Sequence, residues 1–112
     1  MNTKTCKAKG RALQNRVRDI LNKSTLGVKY VFKARTMGLP GDDVYTENKL
    51  WPFYIECKNQ QQLALYPELK KLYSKNKKGI LVHKKNGSDI YATIAFDLLV
   101  ELLEKGGDKR DD

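Results

Sequence analysis

The stretch FYIECK, residues 53–58, alternates apolar and polar side chains, which is the period-two pattern of a β-strand with one buried face. Its odd-numbered residues are expected to point into the core. Glu56 and Lys58 would then share the opposite face, about 7 Å apart at a rise of ~3.3 Å per residue. This strand is the reference from which the other elements are placed.

The rest of the chain divides into elements of both kinds, followed by Gly106-Gly107, which is expected to end the last helix. The element order α-β-β-β-α-β-β-α predicts an α/β fold, a single domain over 1–105 in which helices flank a mixed central β-sheet. Residues 106–112 are predicted to form a flexible tail. Hydrophobic spacing and turn residues predict helices over 8–23, from Pro67 and over 96–104, and strands over 28–35, 43–46, 53–58, 80–84 and 90–94, the last two joined at Asn86-Gly87.

Composition excludes several classes of protein. The 112 residues hold two Cys and one His, too few for a zinc site with four Cys or His ligands. A disulfide framework is not expected, although Cys6 and Cys57 are one conceivable pair, and a reducing cytoplasm fits the chain. No glycine-rich phosphate-binding motif, secretory signal or apolar run of membrane-spanning length is present, so neither a nucleotide cofactor nor a membrane is expected as a partner.

Charge is distributed unevenly along the chain. The net charge is +9, and residues 1–35, with ten Lys or Arg and one acid, account for a net +9. Residues 36–66 carry two Lys and four acids, a net −2. Basic ends suggest a polyanion such as nucleic acid as the partner, and an acidic island would then need a cation. The same pattern fits an ordinary solvated surface about equally well.

Within the acidic island, Asp43 precedes the strand that carries Glu56. If the two strands pair, the two carboxylates converge, which is costly unless they share a proton or hold a cation. An all-oxygen ligand set, to which the Cys57 carbonyl could contribute, suits Mg²⁺ or Mn²⁺. Glu-x-Lys alone is a common triplet and is more often an ordinary surface pair.

The wider context of these residues is more specific. The segment MGLPGDDV, residues 37–44, followed by WPFYIECKNQ, residues 51–60, resembles the PD-(D/E)XK nuclease superfamily, and in particular small phage-type nucleases that are Holliday-junction-resolvase-like. The first helix (KGRALQ, residues 9–14), the strand over 79–84 and the helix from Phe96 are also similar, so the resemblance covers nearly the whole chain.

The resemblance implies a restriction-endonuclease-like core and a Mg²⁺-dependent endonuclease, with Mn²⁺ as a substitute. It implies that Asp43, Glu56 and Lys58 are catalytic and that Asp43 and Glu56 bind the metal. Asp42 is a weaker candidate ligand. Gln14 stands where many members of the superfamily carry a metal-binding Glu, and a neutral side chain there is a poorer ligand.

The implied substrate is DNA, branched or junction DNA in particular, cut by a homodimer in the cytoplasm, or in the host cytoplasm if the chain is phage-encoded. Two alternatives are a non-catalytic nucleic-acid-binding module and a ribonuclease. Gln60 is as easily a plain polar loop residue as a phosphate contact, and lysines of the helix after Pro67 could form a second contact face. The predicted DNA-binding residues are Lys7, Arg11, Gln14, Arg18, Lys33, Arg35 and Gln60.

Overall fold

The fold was examined in a computed structural model that describes residues 3–107, with side chains from Lys7 to Gly106. The tail residues 108–112 and the side chain of Cys6 lie outside this range, whereas Cys57 is a free, buried thiol. The helices are α1 (Thr3–Lys23), α2 (Leu26–Lys29), α3 (Leu65–Lys75) and α4 (Phe96–Gly107), and the strands are β1 (Phe32–Ala34), β2 (Val44–Thr46), β3 (Tyr54–Asn59), β4 (Gly79–Lys84) and β5 (Tyr91–Thr93).

The five strands form one mixed sheet in the order β1-β2-β3-β4-β5. The pairs β1–β2, β2–β3 and β4–β5 are antiparallel, whereas β3 and β4 run parallel and are joined by α3 as the crossover helix. The predicted α/β domain with a mixed central sheet and flanking helices is confirmed. None of the helices in the described range is long and apolar enough to cross a membrane.

Helix α1 covers one face of the sheet because its apolar stripe fits the inward side chains of the strands. Its residues Leu13 and Val17 are buried in a single hydrophobic cluster with strand residues. On β3, Ile55 and Cys57 are buried and the intervening residues are not, so the predicted alternation is confirmed. Glu56 and Lys58 therefore lie on the face that α1 leaves uncovered. The strand members of the cluster are Phe32, Val44, Ile55, Cys57 and Val82.

The predicted strand over 28–35 is wrong in its first half. Residues 26–29 form the short helix α2, closed by a 2.8 Å hydrogen bond from the N–H of Tyr30 to the C=O of Leu26, and Val28 is 90% exposed. The strand begins at Phe32 because the carboxamide of Asn22 accepts from the N–H of Phe32 at 2.8 Å and donates to its C=O at 3.0 Å. Two apolar residues of the alternating pattern over 28–33, Tyr30 and Phe32, pack edge to face against the ring of Trp51.

The last helix also differs from expectation. It ends at Gly107, three residues later than the predicted end at Glu104. The apolar spacing predicts that Phe96, Leu99, Leu102 and Leu103 face inward, but Phe96 and Leu103 are 74% and 61% exposed, whereas Leu98 is buried. The side of α4 that contacts the domain carries Leu98 and, one turn later, Glu101, whose carboxylate lies 3.5 Å from the Lys78 amine.

The turn between β4 and β5 lies at Asn86-Gly87 as predicted. The N–H of Ser88 donates to the C=O of Lys85 at 3.1 Å, and φ is positive at Gly87 but not at Asn86. A type I′ turn needs positive φ at both central residues, so this turn does not match the twist of a tight hairpin. The strands consequently begin to pair only at His83 and Tyr91.

Tyr73 links three elements through its hydroxyl group, which donates to the C=O of Gly79 at 2.6 Å and accepts from the N–H of Ala95 at 2.8 Å. We expect Tyr73→Phe to lower the free energy of unfolding by about 1–3 kcal/mol, because each hydrogen bond contributes ~1 kcal/mol. Urea unfolding followed by circular dichroism measures this loss. Tyr66→Phe is the matched control, since Tyr66 lies on the same helix and is 82% exposed. Equal effects of the two substitutions would contradict the prediction.

Candidate active site

The two acidic residues singled out in the sequence lie on neighbouring segments, Asp43 just before β2 and Glu56 within β3. Val44 pairs with Ile55, and the N–H of Asp43 donates to the C=O of Ile55 at 2.8 Å. The Asp43 carboxylate reaches β3 at the N–H of Cys57, the residue that follows Glu56. The charge of Asp43 raises the pKa of Glu56, so it acts on the second carboxylate from the neighbouring segment.

The side chain of Asp43 is held in place by the backbone of the neighbouring strand. Its Oδ2 accepts a hydrogen bond from the N–H of Cys57 at 2.7 Å. The N–H and C=O of one strand residue point to the same side, so the Cys57 carbonyl is also directed toward the β2 side of β3. The Cys57 thiol is buried on the other face of the sheet and burial raises its pKa, which leaves the backbone as the part of Cys57 available to the site.

Burial acts on both carboxyl groups, and the charge of Asp43 acts in addition on Glu56. Burial raises the pKa of Asp43, while its hydrogen bond from Cys57 and the charge of Lys58 act in the opposite direction. Burial also raises the pKa of Glu56, and the charge of Asp43 raises it further against Lys58 and Lys75. The nearby positive charges lower the two pKa values by less than the other effects raise them, so both stay above their ordinary values. The pair is thus suited to hold a cation or to share a proton.

Lys58 lies on the same face as Glu56 and is joined there by a residue that the sequence analysis missed. Its amine is 3.9 Å from Oε2 of Glu68, and both side chains are mostly buried. Glu68 lies in the first turn of α3, which the crossover from β3 to β4 brings over this face of the sheet. An acid just after Pro67 was the only signal in the sequence, and it is also an ordinary feature of helix N-termini.

A small cleft separates β3 from α3 at this point, and we call it the α3 cleft. Its volume is about 120 Å³, room for an ion or phosphate oxygen with a few waters at ~30 Å³ each. Two lysines of α3 lie beside Glu56 and Lys58 in this cleft, which places cations at the approach to the acidic pair. The α3 cleft is lined by Glu56, Lys58, Glu68, Lys71, Leu72 and Lys75.

Asp42, the weaker candidate ligand, is held by Arg35. The Nη2 of Arg35 is 3.2 Å from Oδ1 of Asp42, and its Nε donates to the Asp42 carbonyl at 2.7 Å. The guanidinium also stacks over the ring of Tyr45. Asp42 is therefore already paired, while the Asp43 carboxylate is bonded to the N–H of Cys57 beside Glu56, so the geometry favours Asp43 as the ligand.

A divalent metal fits this donor set if water completes its coordination. Over residues 3–107, no group of three or more His, Cys, Asp and Glu side chains is close enough to hold a metal ion. Asp43 and Glu56 thus supply two carboxylates, with the Cys57 carbonyl as a further oxygen. Magnesium commonly binds through one or two carboxylates and keeps several waters, so two carboxylates are compatible with it.

The predicted DNA-binding residues fall into two concavities. Four of them, Arg11, Gln14, Arg18 and Arg35, line a groove of about 430 Å³ between α1 and the end of β1, which we call the helix groove. Gln14 is buried there, among three arginines and away from Glu56 and Lys58 in the α3 cleft.

A second concavity, the amide pocket, has a volume of about 590 Å³ and is lined by Lys7, Lys58 and Gln60, together with other residues of α1 and the β3–α3 connection. Lys33 lines neither concavity. Its amine pairs with Glu47 at 3.0 Å, and this hydrogen bond and charge raise the pKa of Lys33. The structure therefore brings six of the seven predicted residues into two surfaces and separates the seventh.

Comparisons with known proteins gave no match to a family model, a curated protein or a solved structure. The candidate site is accordingly described by its own geometry, in which Glu56 and Lys58 share one face of β3 and the Asp43 carboxylate is bonded to the N–H of Cys57 between them.

Neutralising Asp43 is expected to stabilise the fold. The raised pKa values of Asp43 and Glu56 mean that the folded protein binds protons more tightly than the unfolded chain, so stability falls as pH rises through those raised values. Asp43→Asn keeps the acceptor for Cys57 and removes one charge. We expect a melting temperature a few degrees above that of the wild type near neutral pH, and a smaller difference in acid, measured by thermal unfolding across pH.

Asp42→Asn is the matched control because it removes one charge from the adjacent residue. Asp42 is paired with Arg35, so this substitution should lower the melting temperature or leave it unchanged. A decrease of equal size in both variants would show that Asp43 carries no unfavourable charge.

Proposed function

We propose that the protein is a metal-dependent DNA endonuclease that hydrolyses phosphodiester bonds. The observation that carries the proposal is the Asp43 carboxylate bound to the N–H of Cys57, the residue between Glu56 and Lys58, which share one face of β3. Two neighbouring carboxylates and one amine are the groups needed to hold a dication beside a phosphate. The excess of positive charge on the rest of the chain suits an anionic polymer.

The fold is compatible with this proposal. A helix followed by three antiparallel strands, a crossover helix and a parallel strand is the arrangement expected of a restriction-endonuclease-like core. In that interpretation, Asp43 is the first acid of the PD-(D/E)XK pattern, and Glu56 and Lys58 are the second acid and the lysine. The resemblance of the sequence and the position of these residues support the same assignment independently.

Asp43, Glu56 and the Cys57 carbonyl would hold the metal. When bound, Mg²⁺ or Mn²⁺ supplies a water of lowered pKa and stabilises negative charge on a phosphoryl oxygen. The protein contributes the geometry, since the N–H of Cys57 fixes one oxygen of Asp43 and Glu56 is the residue next to Cys57 on β3. A preorganised pair of this kind needs little rearrangement when the substrate arrives.

Lys58 acts on the phosphate and on the attacking water. Its amine lies at the rim of the α3 cleft, where it can stabilise charge on the phosphoryl oxygens and orient the water. Glu68 positions this amine through their ion pair. Orientation and charge stabilisation are the roles we assign to it.

The substrate is proposed to be branched or junction DNA and the active form a homodimer. Cutting two strands requires two active sites, and a twofold pair of identical chains supplies them. The helix groove and the amide pocket would bind the flanking phosphates. Both concavities are rich in cations independently of the acidic pair, which favours a non-catalytic nucleic-acid-binding module as the second candidate function.

Cleavage by a lysine variant tests the proposal. Lys58→Ala is expected to reduce the rate of cleavage by at least about 10²-fold, because it removes a group that acts in the transition state. Binding should stay within a few fold, since the groove contacts remain. Labelled four-way junction, linear duplex, single strand and RNA, each incubated with Mg²⁺ and with a chelator, give the rates and the substrate preference.

Lys49→Ala is the control, because this exposed lysine lies in the β2–β3 connection and lines none of the three concavities. Cleavage by Lys58→Ala at the wild-type rate would exclude Lys58 from the reaction. Binding that is insensitive to the chelator, without products in Mg²⁺ or Mn²⁺, would support the binding module. Products from RNA alone would support the ribonuclease.

The lysines of α3 give a prediction about binding. Lys71 and Lys75 line the α3 cleft, so each is placed to neutralise one DNA phosphate. The double variant Lys71→Ala/Lys75→Ala should weaken binding and reduce the slope of log Kd against log salt by roughly 2, at about 0.9 per phosphate contact. Fluorescence anisotropy titrations at several salt concentrations measure this slope.

The matched control removes two exposed lysines that line none of the three concavities, in the variant Lys23→Ala/Lys49→Ala. This control has the same net charge as Lys71→Ala/Lys75→Ala. A similar reduction of the slope of log Kd against log salt in both variants would mean that only the overall charge of the protein affects DNA binding. The position of Lys71 and Lys75 would then carry no special role.

A further inference from the structure

The amide pocket is larger than either of the other two concavities of the site, at about 590 Å³, and its chemistry is distinctive. Three lysines line it, Lys7 and Lys9 from α1 and Lys58 from β3, and no acidic side chain of the described residues does. Carboxamides make up most of the remaining polar lining. They are Asn59, Gln60, Gln61, Gln62 and Asn86.

The walls of the pocket are connected to one another. The carboxamide of Asn59 donates to the C=O of Lys9 at 3.5 Å, joining β3 to α1. The side chain of Gln61 accepts from the N–H of Asn86, joining the β3–α3 connection to the β4–β5 turn. The pocket is therefore formed in the folded chain, with elements from three parts of the sequence at its border.

One residue connects the pocket to the proposed catalytic centre. Lys58 lines both the amide pocket and the α3 cleft, so a DNA strand with a phosphate at the Lys58 amine has its neighbouring nucleotide over the pocket. The volume falls within the ~300–1,000 Å³ typical of pockets for small molecules. The apolar surface of Met37 and Gly10 offers one side on which a flat ring can lie.

We propose that the amide pocket binds an unpaired nucleotide of the DNA substrate, next to the phosphate at Lys58; the position of that phosphate rests on the proposed function. A carboxamide carries both a donor and an acceptor and can pair with the edge of a base, while lysines pair with phosphate. A base within a duplex is stacked and has its pairing edge engaged, so it cannot enter. An unpaired base has both its ring face and its edge free.

Three DNA substrates of identical flanking sequence test this proposal without metal or turnover. One is a fully paired duplex, the second carries a single bulged nucleotide, and the third carries a bulged abasic residue. In the presence of a chelator, we expect the bulged nucleotide to be bound about tenfold more tightly than the other two, as stacking and edge contacts to one base would give. Equal affinity for the two bulges would overturn the proposal, because only backbone flexibility would then be recognised.

The variant Gln62→Ala should reduce this preference to near one while leaving the affinity for paired duplex unchanged. Gln62→Glu, which keeps the size of the side chain and adds a negative charge, should also reduce the preference to near one and should weaken binding of all three substrates, and thermal unfolding verifies that each variant folds. Full preference in both folded variants would contradict the assignment. Addition of a deoxynucleoside monophosphate distinguishes a strand-borne nucleotide from a free one, since competition at low concentration would assign the pocket to free nucleotides instead.

These results separate the inference from the proposed function. A protein that prefers the bulged nucleotide yet never cuts DNA would support nucleotide binding in the amide pocket and contradict the proposed endonuclease activity. A protein that cuts DNA without any preference for an unpaired base would support the endonuclease activity and contradict the role of the pocket.

Discussion

The pairing of β2 with β3 is the constraint on which the candidate site depends. A single register, with Val44 opposite Ile55, directs both side chains into the core together and brings the adjacent Asp43 to the backbone of Cys57, beside Glu56. A slip by one residue would move every side chain of the strand to the other face of the sheet, placing carboxylates in the core and apolar groups in the cleft. Burial of the apolar residues thus stabilises the same register that creates the acidic pair.

The acidic pair is tolerated because cations surround it at short range. Lys58 lies on the same strand, and Lys71 and Lys75 extend from α3 over the same cleft. The offset is partial, since the pKa values of both Asp43 and Glu56 remain raised. A folded protein that keeps such a pair gives up some stability, which is the usual cost of a site preorganised for a cation.

Local patterns in the sequence predicted the strand that carries the site, and they failed where long-range contacts decide the structure. The alternation over 53–58 is a property of one segment, so Ile55, Glu56 and Lys58 could be assigned to the correct faces. Val28 belongs to a segment with the same alternation, yet Asn22, ten residues before Phe32, binds the backbone of Phe32 and determines where the strand starts. Periodicity within a segment carries no information about such a partner.

The same limit explains why Glu68 was missed and why α4 was oriented wrongly. Glu68 meets Lys58 only because β3 and β4 are parallel, which forces the intervening helix to cross back over the sheet. The apolar spacing of α4 indicated an amphipathic helix, but not which side would contact the domain. Tyr73 and Lys78 settle that side, by a hydrogen bond to the N–H of Ala95 and an ion pair with Glu101.

The position of Lys58 unites the chemistry and the recognition that we propose. It stands near the carboxyl end of β3, where the antiparallel neighbour β2 has already ended and the parallel neighbour β4 continues. Lys58 lies two residues after Glu56 and lines both the α3 cleft and the amide pocket. A phosphate bound at this amine, as we propose, would lie next to both. The strand that carries Glu56 and binds Asp43 would then also position the nucleotide and align its phosphate for reaction.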